Sequence, residues 1–175
     1  MKDYLIVVDM QKDFVDGALG SAEAVSIVPK VLEAVNGFPG KVIFTRDTHP
    51  ENYMDLQEGK FLPVPHCIRG TEGWELIPPL REYAEENNAL IFDKPTFGSR
   101  ELSAYLLSEY GKGNVGSVTF CGVCTDICVI SNALLIKAAM PELPVYCIEK
   151  ACAGVTPEKH NAAIEVMKSC QIQMR

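Results

Sequence analysis

Four separated segments of the chain each place a reactive side chain directly after an apolar run. Asp9 follows YLIVV, Asp47 follows VIFTR and Lys94 follows LIFD, while the segment GVCTDICV carries the thiols of Cys124 and Cys128. A thiol that shares a site with a carboxylate and a cation has the composition of a cysteine nucleophile activated by a base. These residue types predict covalent catalysis through a thiol, provided that the fold brings the segments together.

An open parallel sheet would bring these segments together. The carboxyl ends of parallel strands meet at one edge of the sheet, and ligands bind in the crevice there. Apolar runs rich in β-branched residues alternate with amphipathic helical patterns along the chain, which is the sequence form of stacked βαβ units. The sequence predicts a single domain over residues 1–175, with a three-layer α/β/α architecture and a mainly parallel sheet of about six strands.

The predicted elements alternate along the chain, with Gly and Pro at most of the joins. The predicted strands are Tyr4 to Val8, Lys41 to Thr45, Ala89 to Phe92, Ser117 to Cys121, Val145 to Glu149 and a short one near Gln171. The predicted helices are Ala24 to Asn36, Trp74 to Glu86, Ser99 to Tyr110, Asp126 to Ala139 and Pro157 to Ser169. Residues 47–73 show no clear periodicity, and long loops of that kind in compact domains are usually functional.

Each reactive residue also has an ordinary structural interpretation. Asp9 would be a solvated cap after a strand, and Lys94 would be a surface lysine. Free cysteine is commonly a small buried apolar side chain. That interpretation suits Cys121, Cys147, Cys152 and Cys170. Cys128 differs, because it falls in the first turn of a predicted helix, where N–H groups and the helix dipole favour a thiolate. Burial of Asp9 after its apolar run would raise its pKa, which suits a proton shuttle.

Composition narrows the class of partner. The 175 residues are 47% hydrophobic, yet no run approaches the roughly 18 apolar residues of a membrane span. The N-terminal apolar run is interrupted by Asp9 and lacks a small-residue cleavage site, so a cytoplasmic protein is expected. Seven cysteines without regular spacing predict reduced thiols. The net charge of −7 and the scattered basic residues argue against nucleic acid, so the expected partner is a small molecule.

A carboxylate and two imidazoles, those of Asp47, His49 and His66, lie in one segment. Lone histidines are more often packed or hydrogen-bonded than ligating, and His160, on a helix that begins near Pro157, is interpreted as structural. In the segment after the second strand, however, an Asp-x-His pair faces a second histidine across a loop. This set suits Zn²⁺, Fe²⁺ or Mn²⁺ held with open water positions, so the segment predicts a divalent metal site.

Three motifs in order, DMQKDF, DKPTFGS and GVCTDICV, resemble the signatures of the isochorismatase-like cysteine hydrolases. The resemblance extends over essentially the whole chain. It implies that Asp9 is the acid/base, Lys94 the cationic partner and Cys128 the nucleophile. It also implies a cis peptide between Val123 and Cys124, and an oxyanion hole built from the backbone N–H groups of Cys124 and Cys128.

The loop after Asp47 resembles the nicotinamidase branch of that family, whose Asp-x-His pair and distant histidine bind a divalent metal that holds the pyridine nitrogen. The segment PHCIRGTEGWEL supports this branch. The resemblance implies that Glu58 is a fourth ligand, although a solvent-facing glutamate is an equal alternative. Thr48 replaces a tryptophan often found between the Asp and the His, and Tyr53 stands where many members carry a histidine. Both are expected to alter the pocket wall.

Aromatic side chains near the strand ends are candidates for contact with a flat ring. The resemblance implies that Phe14 lines the pocket, and Trp74 and Phe97 are further candidates, although such residues are otherwise mostly core. Val123 and Cys124, beside the nucleophile, complete the expected substrate contacts. Cys124 stands where many relatives have a small residue, and its thiol is interpreted first as a bystander.

The resemblance implies hydrolysis of nicotinamide to nicotinic acid and ammonia through a thioester on Cys128. Another small amide, a carbamoyl or a ureido compound remains an alternative, although most such family members lack the metal loop. Members without working cysteine chemistry cleave a vinyl ether, and Cys128 argues against that reaction. A non-enzymatic interaction module is disfavoured by intact Asp9, Lys94 and Cys128. Because related enzymes are often oligomers, a homo-oligomer is expected.

Overall fold

The computed structural model describes all residues, 1–175, and contains one sheet of six parallel strands with seven α-helices. The strands are β1 Lys2–Val8, β2 Lys41–Asp47, β3 Leu90–Lys94, β4 Val115–Val123, β5 Val145–Ala153 and β6 Gln173–Met174. The helices are α1 Lys12–Val15, α2 Ala22–Gly37, α3 Gln57–Phe61, α4 Pro78–Glu86, α5 Arg100–Gly111, α6 Ile130–Ala139 and α7 Pro157–Ser169. This architecture confirms the predicted α/β fold with a parallel sheet.

The strand order is β3-β2-β1-β4-β5-β6, so the chain winds outward in both directions from β1 and β4. Helix α6 contacts both α5 and α7 and forms one layer with them, while α2 packs on β1, β4 and β5. In sheets wound this way, the crevice at the carboxyl ends of the strands where the order reverses is the place where ligands bind. In this fold that place is between β1 and β4.

The two central strands are buried on both faces, which explains their near-continuous apolar sequences. All five residues from Tyr4 to Val8 are buried, as are those from Ser117 to Val123. Polar caps set the helix starts: the side chains of Ser21, Ser99 and Thr156 accept hydrogen bonds from N–H groups in the first turns of α2, α5 and α7. The sheet is therefore a rigid platform with its polar groups at the edge.

The strands run further at their carboxyl ends than the sequence predicts. β2 reaches Asp47 and β3 reaches Lys94, so these two residues are the last of their strands rather than the first of a loop. The sequence signal stops early there because charged residues end the apolar run, although the backbone pairing continues through them. Asp47 and Lys94 are direct partners in the parallel register.

Other boundaries also differ from prediction. The helix predicted from Trp74 begins at Pro78, because proline is well suited to a first helical position. The helix predicted from Asp126 consists of a π-helical turn, Thr125–Val129, followed by α6. The last strand begins at Gln173. The loop after β2 contains the short α3, and none of the helices is long and apolar enough to cross a membrane.

Candidate active site

Four adjacent strands deliver the sequence-predicted residues to one edge of the sheet. In strand order, β3 ends in Lys94, β2 ends in Asp47, β1 is followed by Asp9, and β4 leads through Cys124 into the turn that carries Cys128. Parallel strands lie about 4.8 Å apart. Neighbouring strand ends therefore place these side chains within reach of one another.

The ammonium of Lys94 lies at the centre of this group. Its Nζ is 2.6 Å from Asp9 Oδ2, 3.3 Å from Asp47 Oδ1 and 3.5 Å from Cys128 Sγ. The lysine is only 1% exposed. Burial alone would lower its pKa, but the two carboxylates and the thiol outweigh burial and raise the pKa well above its ordinary value. Lys94 is therefore a permanent buried cation rather than the surface lysine of the ordinary interpretation.

The two carboxylate oxygens of Asp9 have different surroundings. Oδ1 accepts a 2.7 Å hydrogen bond from the hydroxyl of Thr45. Oδ2 lies beside Lys94 Nζ but receives no well-directed hydrogen bond. Complete burial raises the pKa of Asp9, opposed by the charge of Lys94 and aided by that of Asp47. The only charged partner of Oδ2 is thus the ammonium of Lys94, and burial biases the carboxyl group of Asp9 toward holding a proton.

The thiol of Cys128 is buried in the π-helical turn. Burial raises its pKa well above the ordinary value; Lys94 acts in the opposite direction, and the carboxylates of Asp9 and Asp47 add to the increase. The resting group is therefore a thiol, and it needs a base before it can attack. Asp9 is suited to be that base, because its Oδ2 has no hydrogen-bond partner besides its ion pair with Lys94.

The backbone next to the thiol has an N–H group without a partner within the chain. The peptide between Val123 and Cys124 is cis, as the resemblance implies. The N–H of Cys124 donates to no acceptor within the chain, and that of Cys128 donates to none outside its own turn. Gly122 has φ +115°, and a Cβ at this position would overlap the carbonyl oxygen of Val8, so only glycine lets β4 pass β1 this closely.

A second cluster lies against the first. One ligand atom from each of Asp47, His49, Glu58 and His66 lies within 4.8 Å of the others. His49 Nε2 is 3.0 Å from Asp47 Oδ2 and 3.7 Å from Glu58 Oε1, and His66 Nε2 is 3.6 Å and 4.0 Å from the same two oxygens. Bonds of about 2.0–2.2 Å in a tetrahedral site require ligand atoms about 3.3–3.6 Å apart. The four residues therefore fit a divalent metal ion.

The protonation of this cluster suits a metal. Nδ1 of His66 lies 2.8 Å from the carbonyl oxygen of Val64, which favours the tautomer that leaves Nε2 free to ligate. Burial would raise the pKa of Asp47, but the hydrogen-bonded imidazole of His49, together with nearby His66 and Lys94, outweighs burial and holds the pKa well below its ordinary value. Burial and the neighbouring Asp47 raise the pKa of Glu58. A cation at this point would compensate the crowded carboxylates.

Gln11 holds Asp47 in place and was not singled out from the sequence. Its amide oxygen accepts a 2.7 Å hydrogen bond from the N–H of Asp47, and its Nε2 donates to the carbonyl oxygens of Asp47 and Trp74, both at 2.8 Å. Gln11 is fully buried. The signal was present in DMQKDF, where a glutamine follows a buried strand end, but its partners are remote in sequence.

Both clusters open into one cavity of about 510 Å³. The residues that line it include Phe14, Asp47, Glu58, His66, Phe97, Val123, Cys124 and Cys128. Phe14 packs 5.5 Å from the ring of His66, centroid to centroid, so an aromatic wall stands beside the metal ligands. Burial, with help from Asp126, raises the pKa of the Cys124 thiol to about 12.

Three expected wall residues do not line this cavity. Trp74 lies outside it: the indole N–H donates to Thr48, and Arg46 stacks on the ring at 3.6 Å. Thr48 and Tyr53 do not line the cavity either, so their expected effect on the pocket wall stays a prediction. Tyr53 is buried behind the metal ligands, with its ring 4.7 Å from that of His49, and its hydroxyl donates to Leu62. Side-chain direction in this irregular loop has no periodicity from which to predict it.

The sequence of this chain also matches a known protein family. The isochorismatase domain model matches residues 3–174. The chain belongs to the isochorismatase family.

His160, interpreted from the sequence as structural, places its Nδ1 2.8 Å from the hydroxyl of Thr125, in the turn that carries Cys128.

Several characterised proteins and solved structures are similar to this chain over nearly its whole length. The zinc complex of a pyrazinamidase from Pyrococcus horikoshii is 33% identical, covers 100% of this chain and 99% of its own, and has a TM-score of 0.82. A nicotinamidase/pyrazinamidase structure from Bacillus subtilis is 28% identical with 99% of each chain covered and a TM-score of 0.85. A nicotinamidase/pyrazinamidase of Mycobacterium tuberculosis is 27% identical over 97% of this chain and 96% of its own.

We predict that Thr45→Val raises the pKa of Asp9. The hydroxyl of Thr45 stabilises the ionised carboxylate, so its removal favours the protonated form. A hydrogen bond to a charged group contributes about 1.5–3 kcal/mol, which corresponds to an increase of about one pKa unit or more. The measurement is the pH titration of the Asp9 carboxyl ¹³C resonance.

Thr119→Val is the matched control, because Thr119 is an equally buried strand threonine whose hydroxyl has no partner. This variant should titrate like the wild type. An Asp9 pKa that is the same in Thr45→Val as in the wild type would show that the hydroxyl does not tune this carboxyl group.

Proposed function

We propose that this protein is an amidohydrolase that cleaves nicotinamide to nicotinic acid and ammonia through a thioester on Cys128, with residues 1–175 acting as one domain. The observation that carries the proposal is a single cavity that presents a thiol group beside a buried cation and, next to it, three of the four residues of the metal-ligand set. The names of the Pyrococcus horikoshii, Bacillus subtilis and Mycobacterium tuberculosis proteins support this substrate.

Asp47, His49, His66 and Glu58 would hold a divalent metal ion, of which Zn²⁺, Fe²⁺ and Mn²⁺ suit the donor set. When bound, the ion supplies a Lewis acid for the pyridine nitrogen of the substrate. Asp47 links this ligand set to catalysis, because its other oxygen lies 3.3 Å from Lys94 Nζ. Phe14, on the wall beside His66, is placed to pack against the ring of the substrate.

The first half-reaction starts with the transfer of the Cys128 proton to Oδ2 of Asp9. The charge of Lys94, 3.5 Å from the sulfur atom, stabilises the thiolate that forms. The thiolate attacks the carboxamide carbon, and the N–H groups of Cys124 and Cys128 stabilise the oxyanion. When the carbon–nitrogen bond breaks, Asp9 gives its proton to the departing nitrogen, so ammonia leaves and the acyl group stays on sulfur.

The second half-reaction uses the same residues in reverse. Asp9, again ionised, takes a proton from a water molecule that attacks the thioester carbon. The carbon–sulfur bond breaks, nicotinic acid leaves, and the proton held by Asp9 returns to the sulfur of Cys128. One carboxyl group thus acts as base, acid, base and acid in one cycle. The raised pKa of Asp9 suits these alternating roles.

Other carboxamides, carbamoyl compounds and ureido compounds are alternative substrates, because the cavity has room for them. A cavity of about 510 Å³ lies within the roughly 300–1,000 Å³ range of pockets for drug-sized ligands, so it has room for molecules larger than nicotinamide. The expected homo-oligomer and the cytoplasmic location stay predictions.

We predict that Cys128→Ala lowers the rate of ammonia release from nicotinamide by at least about 10⁴-fold, because loss of a nucleophile removes the covalent route. Cys170→Ala is the control, since this thiol lies near the end of α7 and does not line the cavity. The assay includes pyrazinamide and a panel of amides and ureides. Comparable ammonia release by Cys128→Ala and the wild type would refute the thiol mechanism.

We also predict that Glu58→Gln weakens zinc binding by roughly tenfold or more, since even outer-shell changes cost 10- to 100-fold in affinity. Competition with a chelator measures the dissociation constant. Glu51→Gln, an exposed glutamate of the same loop, is the control and should bind zinc like the wild type. If stringent metal removal left hydrolysis of nicotinamide unchanged, the role of the metal ion would be wrong while the role of Cys128 would stand.

A further inference from the structure

Asn132 is a buried amide that joins two segments of the active site. It lies in α6, one helical turn after Cys128, and is 1% exposed. Its Nδ2 donates to the carbonyl oxygen of Cys128 at 2.8 Å and to that of Phe97 at 3.1 Å. Its Oδ1 accepts a 2.8 Å hydrogen bond from the N–H of Ser99. One side chain thus binds three backbone groups.

The two loop groups depend on this side chain. Neither the carbonyl oxygen of Phe97 nor the N–H of Ser99 has a backbone partner. Both belong to the segment that runs from Lys94, at the end of β3, to the start of α5. The same segment packs closely on α6, where a Cβ at Gly98 would touch the backbone of Ser131 at 3.5 Å. Asn132 therefore fastens the segment that follows Lys94 to the turn that carries Cys128.

We propose that Asn132 is a positioning residue, which fixes the separation between the ammonium of Lys94 and the thiol of Cys128 by hydrogen-bonding the backbone on both sides. The inference rests on the proposed function for its effect on turnover. The attraction between a cation and a thiolate falls with their separation. A looser contact therefore makes the thiolate harder to form and leaves the metal ligands in place.

Gln11 is a second buried amide that fixes a backbone segment, in this case beside the metal ligands. It holds the backbone of Asp47 through two hydrogen bonds, and Asp47 belongs to the metal-ligand set. The two buried amides act on different segments and share no partner. Loss of Asn132 should therefore change kcat and the reactivity of the thiol, whereas KM, which depends on ring binding at the metal end, should change little.

The test compares Asn132→Leu and Asn132→Thr with the wild type. Leucine removes all three hydrogen bonds. Threonine can still donate to the carbonyl oxygen of Cys128 and loses only the two hydrogen bonds to the loop. Alkylation of Cys128 by iodoacetamide is followed across neutral and alkaline pH, with peptide mass spectrometry to assign the site. Both variants should shift the profile upward by about half to one pH unit, a three- to tenfold slower reaction at fixed pH. With nicotinamide, kcat should fall about as much as thiol reactivity falls, and KM should stay within about twofold.

Ile136→Ala is the control for lost stability, because it leaves a cavity in the same helix and removes none of the hydrogen bonds to the loop. Its alkylation profile should match that of the wild type. An unshifted profile in the folded Asn132 variants, or an equal shift in Ile136→Ala, would overturn the inference. Because alkylation needs no substrate, this result is independent of the test with nicotinamide, so failure of the proposed function can be told apart from failure of the inference.

Discussion

The buried ammonium of Lys94 is the interaction on which the rest of the site depends. A charge taken out of water costs several kcal/mol unless it is paired and hydrogen-bonded. In this protein the partners are Asp9 and Asp47, at 2.6 Å and 3.3 Å, with the thiol of Cys128 at 3.5 Å. Removing any one partner would leave a buried group uncompensated. The three strands that carry these residues and the turn after β4 are therefore held in one arrangement.

In the proposed mechanism, the same arrangement links catalysis to metal binding. Asp47 directs one oxygen at Lys94 and the other at His49, so a single carboxylate belongs to both clusters. The order β3-β2-β1-β4 makes this geometry available, because it brings the four strand ends side by side at the edge where the winding reverses. Buried amides, Gln11 on one side and Asn132 on the other, satisfy the backbone groups that the irregular segments leave unpaired.

The sequence predicted the elements and the strand-end residues well, because apolar runs report burial and parallel strands have only one edge at which ligands gather. The prediction failed where the role of a residue depends on the direction of its side chain rather than on its position in the sequence. Trp74 lies in an irregular segment and turns toward Thr48 and Arg46 instead of the cavity. Gln11 and Asn132 were missed because a polar residue gives no local sign of partners 36 or 33 residues away.

The central claim is that Cys128 carries the acyl group of the substrate during turnover. Rapid acid quench of the enzyme mixed with nicotinamide, followed by peptide mass spectrometry, tests it most directly. The account predicts a nicotinoyl adduct on the peptide that contains Cys128, formed during turnover. Hydroxylamine should remove this adduct, because it cleaves thioesters. Sustained ammonia release with no adduct on Cys128 at any quench time, or with an adduct on another residue, would contradict it.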